Sequence, residues 1–460
     1  MASPSPPPTP PTADEPPPPP PPTPDGDAPS PPTDAESPPP LPEADAPAAP
    51  PPDADAPAAP PPDADADAPP LQQPHLPDGI LEDIFLRLTT AADVARASAA
   101  CASFRAITAA LPFRRRFRAL HRAPVLGFLR EDFYAARPPH PSAPAARALA
   151  RAADFAFSFL PDDAACWSPR DARDGRVLFS AVPSSHGRGS FADATSTTFV
   201  DLVVADPLSR RCVRVPPVPD DLAAPILRWG MLDFEPFLAP ASAEDLRDEA
   251  APFRVIGKVL CEDRVAVFAF SSRTGEWRSH GSSELSNDFA LDALYERRHY
   301  VQGCFCWLLE WMEKLLMLDA GAMEFSIVDL PPGNDERRFA ILEAGQGRIG
   351  LLNIGRNTLD LYYKDWPGKR NGEWQHEMKE HPLPDYHWRI IGSDEEYLLL
   401  RGISLDWPWF GSASSESPDI EYFALELKAL QLERMYVSKH KMLHAHLYRG
   451  YPPQISAPTL

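Results

Sequence analysis

No run in this chain is apolar over the roughly 20 residues that a membrane-crossing helix requires, and its first residues carry no basic-then-apolar leader. A soluble protein of the cytoplasm, the nucleus or both is expected, with no membrane partner. Six cysteines, at 101, 166, 212, 261, 304 and 306, form neither a disulfide framework nor a Cys-x-x-Cys pair, which suits a reducing compartment. Cys304 and Cys306 alternate onto one strand face in GCFCWLL and read as small buried apolar residues. Lysine and arginine are missing altogether from residues 1–74, which hold 13 acidic residues and 32 of the 60 prolines. So little apolar surface cannot offset the entropy of ordering, so this stretch is predicted to be a disordered tail. Its EADAPAAPPP at Glu43 recurs as DADAPAAPPP at Asp53, a low-complexity expansion. The proline run Pro16–Pro22 reads as an acidic spacer or, alternatively, as bait for a polyproline reader.

The tail accounts for 13 of the 21 net negative charges, leaving 44 basic against 52 acidic residues in the remainder. That mild balance argues against a nucleic-acid binder, which would carry a basic face. Arg114, Arg115, Arg116, Arg118 and Arg122 do cluster, and read as a solvated helix face more readily than as a nuclear address. Catalytic constellations are lacking too. Gly345-x-Gly347-x-x-Gly350 matches a dinucleotide fingerprint as a string, but Ile349, Leu351, Leu352 and Ile354 continue as a strand where a helix N-terminus is needed. His376-Glu377 with His381 departs from zincin spacing because Glu380 stands where the second histidine belongs. His186 has no partner marking it as a base, and tryptophans 277, 307, 366, 374 and 388 read as core. No cofactor, metal ion or enzymatic activity is expected.

What the chain does have, just after the tail, is a short helical unit with more apolar surface than it can bury. Pro77 suits a first helical turn, and Asp78, Glu82 and Asp83 complement the positive end of the dipole. Ile80, Leu81, Ile84, Phe85 and Leu88 then gather on one broad stripe. After Thr89 and Thr90, Asp93 is predicted to cap a second helix with Val94, Ala97, Cys101 and Phe104 as its apolar positions. About forty residues make a marginal domain on their own. Leu76-Pro77, the Ile80-Leu81-x-x-Ile84-Phe85-x-x-Leu88 helix and Ala100-Cys101-x-x-Phe104-Arg105 resemble the F-box, the module that docks substrate receptors on the Skp adaptor of cullin-RING ubiquitin ligases. Ala100 is smaller than the residue usual there, and Phe104 replaces a commoner Trp. The resemblance implies adaptor contacts through Leu76, Pro77, Ile80, Leu81, Ile84, Phe85, Leu88, Val94, Ala97, Cys101 and Phe104. The alternative is a helical hairpin packed on the rest of the chain.

From about Asp174 the texture changes to β-rich runs separated by turns. Strand, polar turn and returning strand recur at 199–219, 264–278, 315–333, 358–384 and 421–436, with middle turns near Arg273, Ala320 and Trp366 at close to propeller-blade spacing. Further strands are predicted at Gly175, Phe253, Arg298, Gly347 and Trp388, while 231–250 and 411–419 read as insertions. At about 45 residues per four-stranded blade this gives about six blades, whose closure removes exposed edges. The combination of DGRVLF, ADPLSRR, FSSRTGEW, GCFCW and FSIVDLPPG is similar to the F-box-associated β-propeller region of plant F-box proteins, especially those of grasses. The expected fold class is α+β multidomain: a disordered Pro-rich tail (1–74), a small all-α F-box (75–131), a linker (132–169), an all-β propeller (170–437) and a C-terminal tail (438–460). The resemblance implies a non-catalytic ligase subunit that recruits an unknown target, with a Skp-type adaptor and, through it, cullin and RING subunits as partners. A propeller enzyme, a glycan binder and a non-degradative scaffold are the alternatives, the first two requiring polar side chains that converge in a central channel.

Overall fold

The computed structural model describes residues 76–161, 167–182, 198–240, 252–285, 297–309, 313–331, 339–345, 347–355, 358–365, 373–380, 383–405 and 418–451. The predicted disordered tail lies outside them, as do His186, His381 and Trp366.

Pro77 caps α1 (Asp78–Leu86), its carbonyl accepting from the amides of Ile80 and Leu81. The next helix, α2 (Ala91–Ala100), is capped by Thr90 rather than Asp93. The Thr90 side chain accepts from the Asp93 amide at 3.1 Å, and the Thr90 hydroxyl donates to the Asp93 carboxylate at 2.6 Å. A cap and a third-position acid satisfy two donors reciprocally, so the predicted cap sits one turn inside the helix. Extended backbone at Cys101 then divides the single predicted helix, and α3 (Ala102–Ala109) carries Phe104. The arginine-rich α4 (Leu111–Leu120) contributes Phe113 and Phe117 to a core made with Leu81, Phe85, Leu86 and Val94.

Five four-stranded antiparallel sheets follow. The first holds β3 (Trp167–Arg173), β4 (Arg176–Ala181), β5 (Leu202–Asp206) and β6 (Arg211–Val215); the second holds β7 (Met231–Leu238), β8 (Arg254–Cys261), β9 (Arg264–Ser271) and β10 (Glu276–Glu284). The third has β11 (Arg298–Val301), β12 (Cys304–Leu309), β13 (Lys314–Asp319) and β14 (Phe325–Asp329), and the fourth β15 (Phe339–Glu343), β16 (Arg348–Ile354), β17 (Thr358–Asp365) and β18 (Gln375–Glu380). The fifth comprises β19 (Tyr386–Ser393), β20 (Tyr397–Ser404), β21 (Ile420–Glu426) and β22 (Gln431–Ser438). Each is a meander whose first strand lies innermost, where β3 meets β7, β11 meets β15 and β15 meets β19.

The sixth blade is built from both ends of the described chain. Its three strands run β2 (Phe133–Ala135), β1 (Val125–Leu129), β23 (His446–Arg449), with β23 innermost between β19 and β3. The expected boundaries change accordingly. Residues 125–129, assigned to the helical unit, are a blade strand; 132–169 is no linker, since it supplies β2, the helix α5 (Ala143–Ala152) packed on β1, and the start of β3. The expected tail from 438 holds the strand that closes the ring. The expected insertion at 231 begins with β7, an inner strand, preceded by α6 (Asp220–Arg228). The six-blade propeller is therefore found, but residues 170–437 hold little more than five of its blades, and the sixth comes from outside that span.

Closure is well anchored. Arg401 donates to the Met442 carbonyl at 2.8 Å, the Tyr422 hydroxyl to that of His440 at 2.7 Å, and the Ala445 amide to that of Ile391 at 2.9 Å. Gly392 is required here, because a Cβ at that position would lie 2.2 Å from the Ala445 carbonyl oxygen. Beyond β23, the Tyr451 hydroxyl donates to the His121 carbonyl at 2.6 Å and its ring meets Phe117 edge-on at 6.3 Å, tying the helical unit to the propeller.

Candidate functional site

The eleven side chains expected to form an adaptor face are not all on one surface. Ile80 and Ile84, one turn apart on α1, are 49% and 43% exposed, and Leu76, just ahead of the Pro77 cap, is 45% exposed; these aliphatic side chains form an exposed ridge, with Pro77 and Cys101 also exposed. Leu81, Phe85 and Val94 are turned the other way, at 7%, 5% and 0% exposure, into the unit's own core. Leu88, Ala97 and Phe104 are half-buried against that core, Phe104 edge-on to Phe85 at 5.0 Å. The predicted stripe is thus two faces back to back: one holds the unit together, and the other stays in water although it is aliphatic. Arg116 spans Glu82 and Asp83 at 2.8 and 3.4 Å, fixing α4 behind the ridge.

A second site lies where the sequence shows nothing at a readable spacing. The inner strands, with Lys258 of the adjoining β8, carry charged side chains that converge on the channel. Glu235 on β7 and Lys258 on β8 are register partners, which puts both on one sheet face, and they pair at 2.8 Å. Glu235 also accepts from Trp307 Nε1 at 2.9 Å and pairs with Arg298 of β11, which reaches Asp171 of β3 at 3.1 Å. One arginine therefore ties three blades together. Asp171 accepts from the Leu238 amide at 2.9 Å, Arg173 pairs with Glu395, and Arg449 of β23 pairs with Glu396 and with Asp394 at 3.5 Å.

The proton affinities follow from this geometry. Burial works against ionisation of Glu235, but Lys258 and Arg298 more than offset it and hold its pKa down at about 2. Asp171 is likewise lowered, Arg298 and Arg173 outweighing its burial. Asp394 goes the other way, raised by burial that Arg449 only partly counters. His299, 2% exposed, is pushed down to about 3 by burial and then by Arg297 and Arg298. His446 falls to about 4, chiefly through burial.

Apart from Lys258, these charged groups border a cavity of about 1160 Å³ between the inner strands and α4, with Leu111, Arg118 and His121 on its helical side. Eleven arginines and eight carboxylates line it, with no lysine. The arginine cluster is therefore not a simple solvated face: Arg116 braces α1, Arg122 pairs with Glu396 at 2.7 Å, and Arg115 and Arg118 border the cavity.

The motifs set aside in the sequence take structural places. Gly345 and Gly347, at φ +78° and +74°, form the turn between β15 and β16. His376 stacks on Tyr362 at 4.5 Å, while Trp277, Trp307 and Trp388 are buried. Cys304 and Cys306 are buried in β12 in one apolar cluster, and burial pushes the Cys304 thiol up to about 11. Among the described residues no group of three His, Cys, Asp or Glu is placed to hold a metal ion, and no helix is long and apolar enough to cross a membrane.

No family model and no curated protein matches the chain. Similar solved structures include an oligogalacturonate lyase from Vibrio parahaemolyticus, at 10% identity, covering 69% of this chain and 74% of that one with a TM-score of 0.31. The WD40 domain of Neurospora crassa Pan2 is similar at 10% identity, over 70% of this chain and 74% of that one, TM-score 0.26. A prolyl endopeptidase is similar at 11% identity, over 59% of this chain, TM-score 0.29; the match spans 35% of that longer protein. The propeller assignment rests on the six paired sheets themselves.

Proposed function

We propose that the chain is the substrate-receptor subunit of a Skp-cullin-F-box ubiquitin ligase, with α1 as its adaptor face and the propeller as its target-holding half. The observation that carries this reading is the Leu76, Ile80, Ile84 ridge, left in water beside a complete core of Leu81, Phe85, Val94, Phe113 and Phe117. A ridge serving only the fold of this chain would be covered by it. The leucine-proline start and the Cys101-x-x-Phe104 pair, which resemble the F-box, give that ridge its occupant: the Skp-type adaptor, and through it cullin and RING subunits. Catalysis then belongs to those other subunits, and this chain contributes the effective concentration of a target lysine. Tyr451 and Phe117 support the same division, since they couple the helical unit to the propeller and would hold the target at a fixed position relative to the adaptor.

Burying Ile84 on an adaptor contributes about 1.5 kcal/mol or more, and a carboxylate in its place adds a desolvation cost. Ile84→Asp should therefore lower co-purification of the Skp adaptor at least about tenfold while leaving the melting temperature unchanged, because Ile84 takes no part in the core. Wild-type adaptor recovery with Ile84→Asp would remove the F-box reading.

A second reading, a propeller that binds a small ligand, is favoured by the charged side chains that converge on the channel.

A further inference from the structure

Most of the cavity's charge is internally balanced, and the exceptions are informative. Arg118 of α4 and Arg170 of β3 both border it, and neither forms an ion pair among the described residues. Arg118 commits its Nε to the Arg114 carbonyl at 3.3 Å, and Arg170 its Nε to the neutral Ser180 hydroxyl at 2.7 Å. Burial lowers the proton affinity of both guanidiniums; at Arg118, Arg114 and Arg115 add to the effect while Tyr451 and Asp174 oppose it, and at Arg170 Asp233 and Glu235 oppose it. Half-buried cations without an ion pair are costly, and here they stand beside about 1160 Å³ of open space, in a chain whose net charge is −21. Arg115, a third cavity arginine, also lacks an ion pair among the described residues.

We propose that the space between α4 and the inner strands binds a phosphoryl group, gripped from opposite sides by Arg118 and Arg170. With Arg116 taken up by Glu82 and Asp83 outside the cavity, the arginines there that form no ion pair among the described residues include Arg115, Arg118 and Arg170, and they are met better by a group carrying nearly two negative charges than by a single carboxylate. Planar guanidinium forks without any lysine suit that geometry. The assignment rests on reading the propeller as the ligand-holding half, and it names the chemistry held there: a phosphorylated side chain of the target or a free phosphate monoester.

Titration of the full chain at constant ionic strength tests it, with phenyl phosphate, a phosphoserine peptide and the same peptide unphosphorylated as probes. Calorimetry should detect binding of both phosphorylated probes and none of the unphosphorylated peptide. Arg118→Gln and Arg170→Gln should each weaken binding at least tenfold. A phosphopeptide that binds more tightly than phenyl phosphate identifies a target segment as the source; equal affinity identifies a small monoester. The unliganded Arg170→Gln protein should melt at or above the wild-type temperature, because a cation without an anion has been removed; an arginine with a purely structural role would instead leave the variant less stable. No phosphate binding, equal binding by wild type and both variants, or a lower melting temperature for Arg170→Gln with unchanged binding would each overturn the proposal. Adaptor co-purification by the same preparations distinguishes this failure from failure of the F-box reading, since Arg118 and Arg170 lie off the α1 ridge.

Discussion

In the helical unit the side chains left in water are aliphatic, whereas in the propeller many of the side chains that converge at the centre are charged. Leu76 just ahead of α1 and Ile80 and Ile84 on it stand exposed, while Lys258 is 1% exposed, Asp171 7% and His299 2%. Each arrangement inverts the ordinary partition of residues between inside and surface, and each costs free energy in the isolated chain. The costs differ in kind. An exposed aliphatic ridge is relieved by a second apolar surface, so it calls for a protein. A ring of guanidiniums and carboxylates is relieved by pairing, so it calls for opposite charge, and most of that is supplied by the neighbouring blade. The two sites are also held differently: the ridge hangs on a core of six buried side chains, and the charged ring on the closure of the whole propeller.

The strongest way to break this contrast is to open the ring. Removing residues 441–460 deletes β23, Arg449 and Tyr451 together, so the inner strand of the closing blade and the tie to His121 are lost at once. The truncated chain should show no cooperative thermal transition by calorimetry. If it melts as the full chain does, β23 is not what closes the propeller.

A smaller effect is expected from unbalancing the charged centre at one point. Glu235→Gln leaves Lys258 and Arg298 without their shared carboxylate, in a site where Lys258 has no water to turn to. Breaking a buried pair from one side should cost about 3 kcal/mol in denaturant unfolding. Glu235→Gln with Lys258→Met should recover part of that loss, since both charges of the pair are then gone. A single variant as stable as wild type would mean that the network contributes nothing to holding the blades.

The same contrast explains what the sequence could and could not disclose. The outer hairpins were readable because β5–β6, β9–β10, β13–β14, β17–β18 and β21–β22 combine apolar alternation with a polar turn. Three inner strands were not, because channel-facing charges spoil that alternation: WSPRDAR is β3, HLYR is β23, and MLDFEPFL passes for a loop although it is β7, whereas the strands expected at Arg298 and Trp388 are the inner β11 and β19. The sixth blade was hidden for a second reason, since Phe128 pairs with Leu447 across most of the chain and no local pattern encodes so distant a partner. For the same cause the channel site was invisible, being assembled from Asp171, Glu235, Arg298 and Arg449, each on a different strand. The α1 stripe was legible as amphipathic. Which half of it faces water depends on Phe113 and Phe117 of α4 covering Leu81 and Phe85, and that is tertiary information.

The mildest test uses protons as the probe, because acid should weaken the propeller centre before it touches the aliphatic ridge. His299 and His446 hold pKa values of about 3 and about 4 in the folded chain, against an ordinary 6.5. Above 6.5 both states leave these rings neutral, and stability does not change on their account. Between 6.5 and the folded values the unfolded chain takes up protons that the folded chain refuses, so stability falls as the pH falls. Glu235 adds its loss lower down: its stabilisation is complete above its ordinary 4.5 and vanishes as the pH drops through about 2. Asp394, whose pKa is raised, works in the opposite direction. The melting temperature should therefore begin to fall below about pH 6.5, earlier than carboxylates alone would require. His299→Gln, which removes a ring whose buried Nδ1 has no hydrogen-bond partner among the described residues, should flatten the slope between pH 6.5 and 4.5. Parallel pH profiles for His299→Gln and wild type would show that this buried histidine does not link propeller stability to pH, and would leave His446 as the group to substitute next.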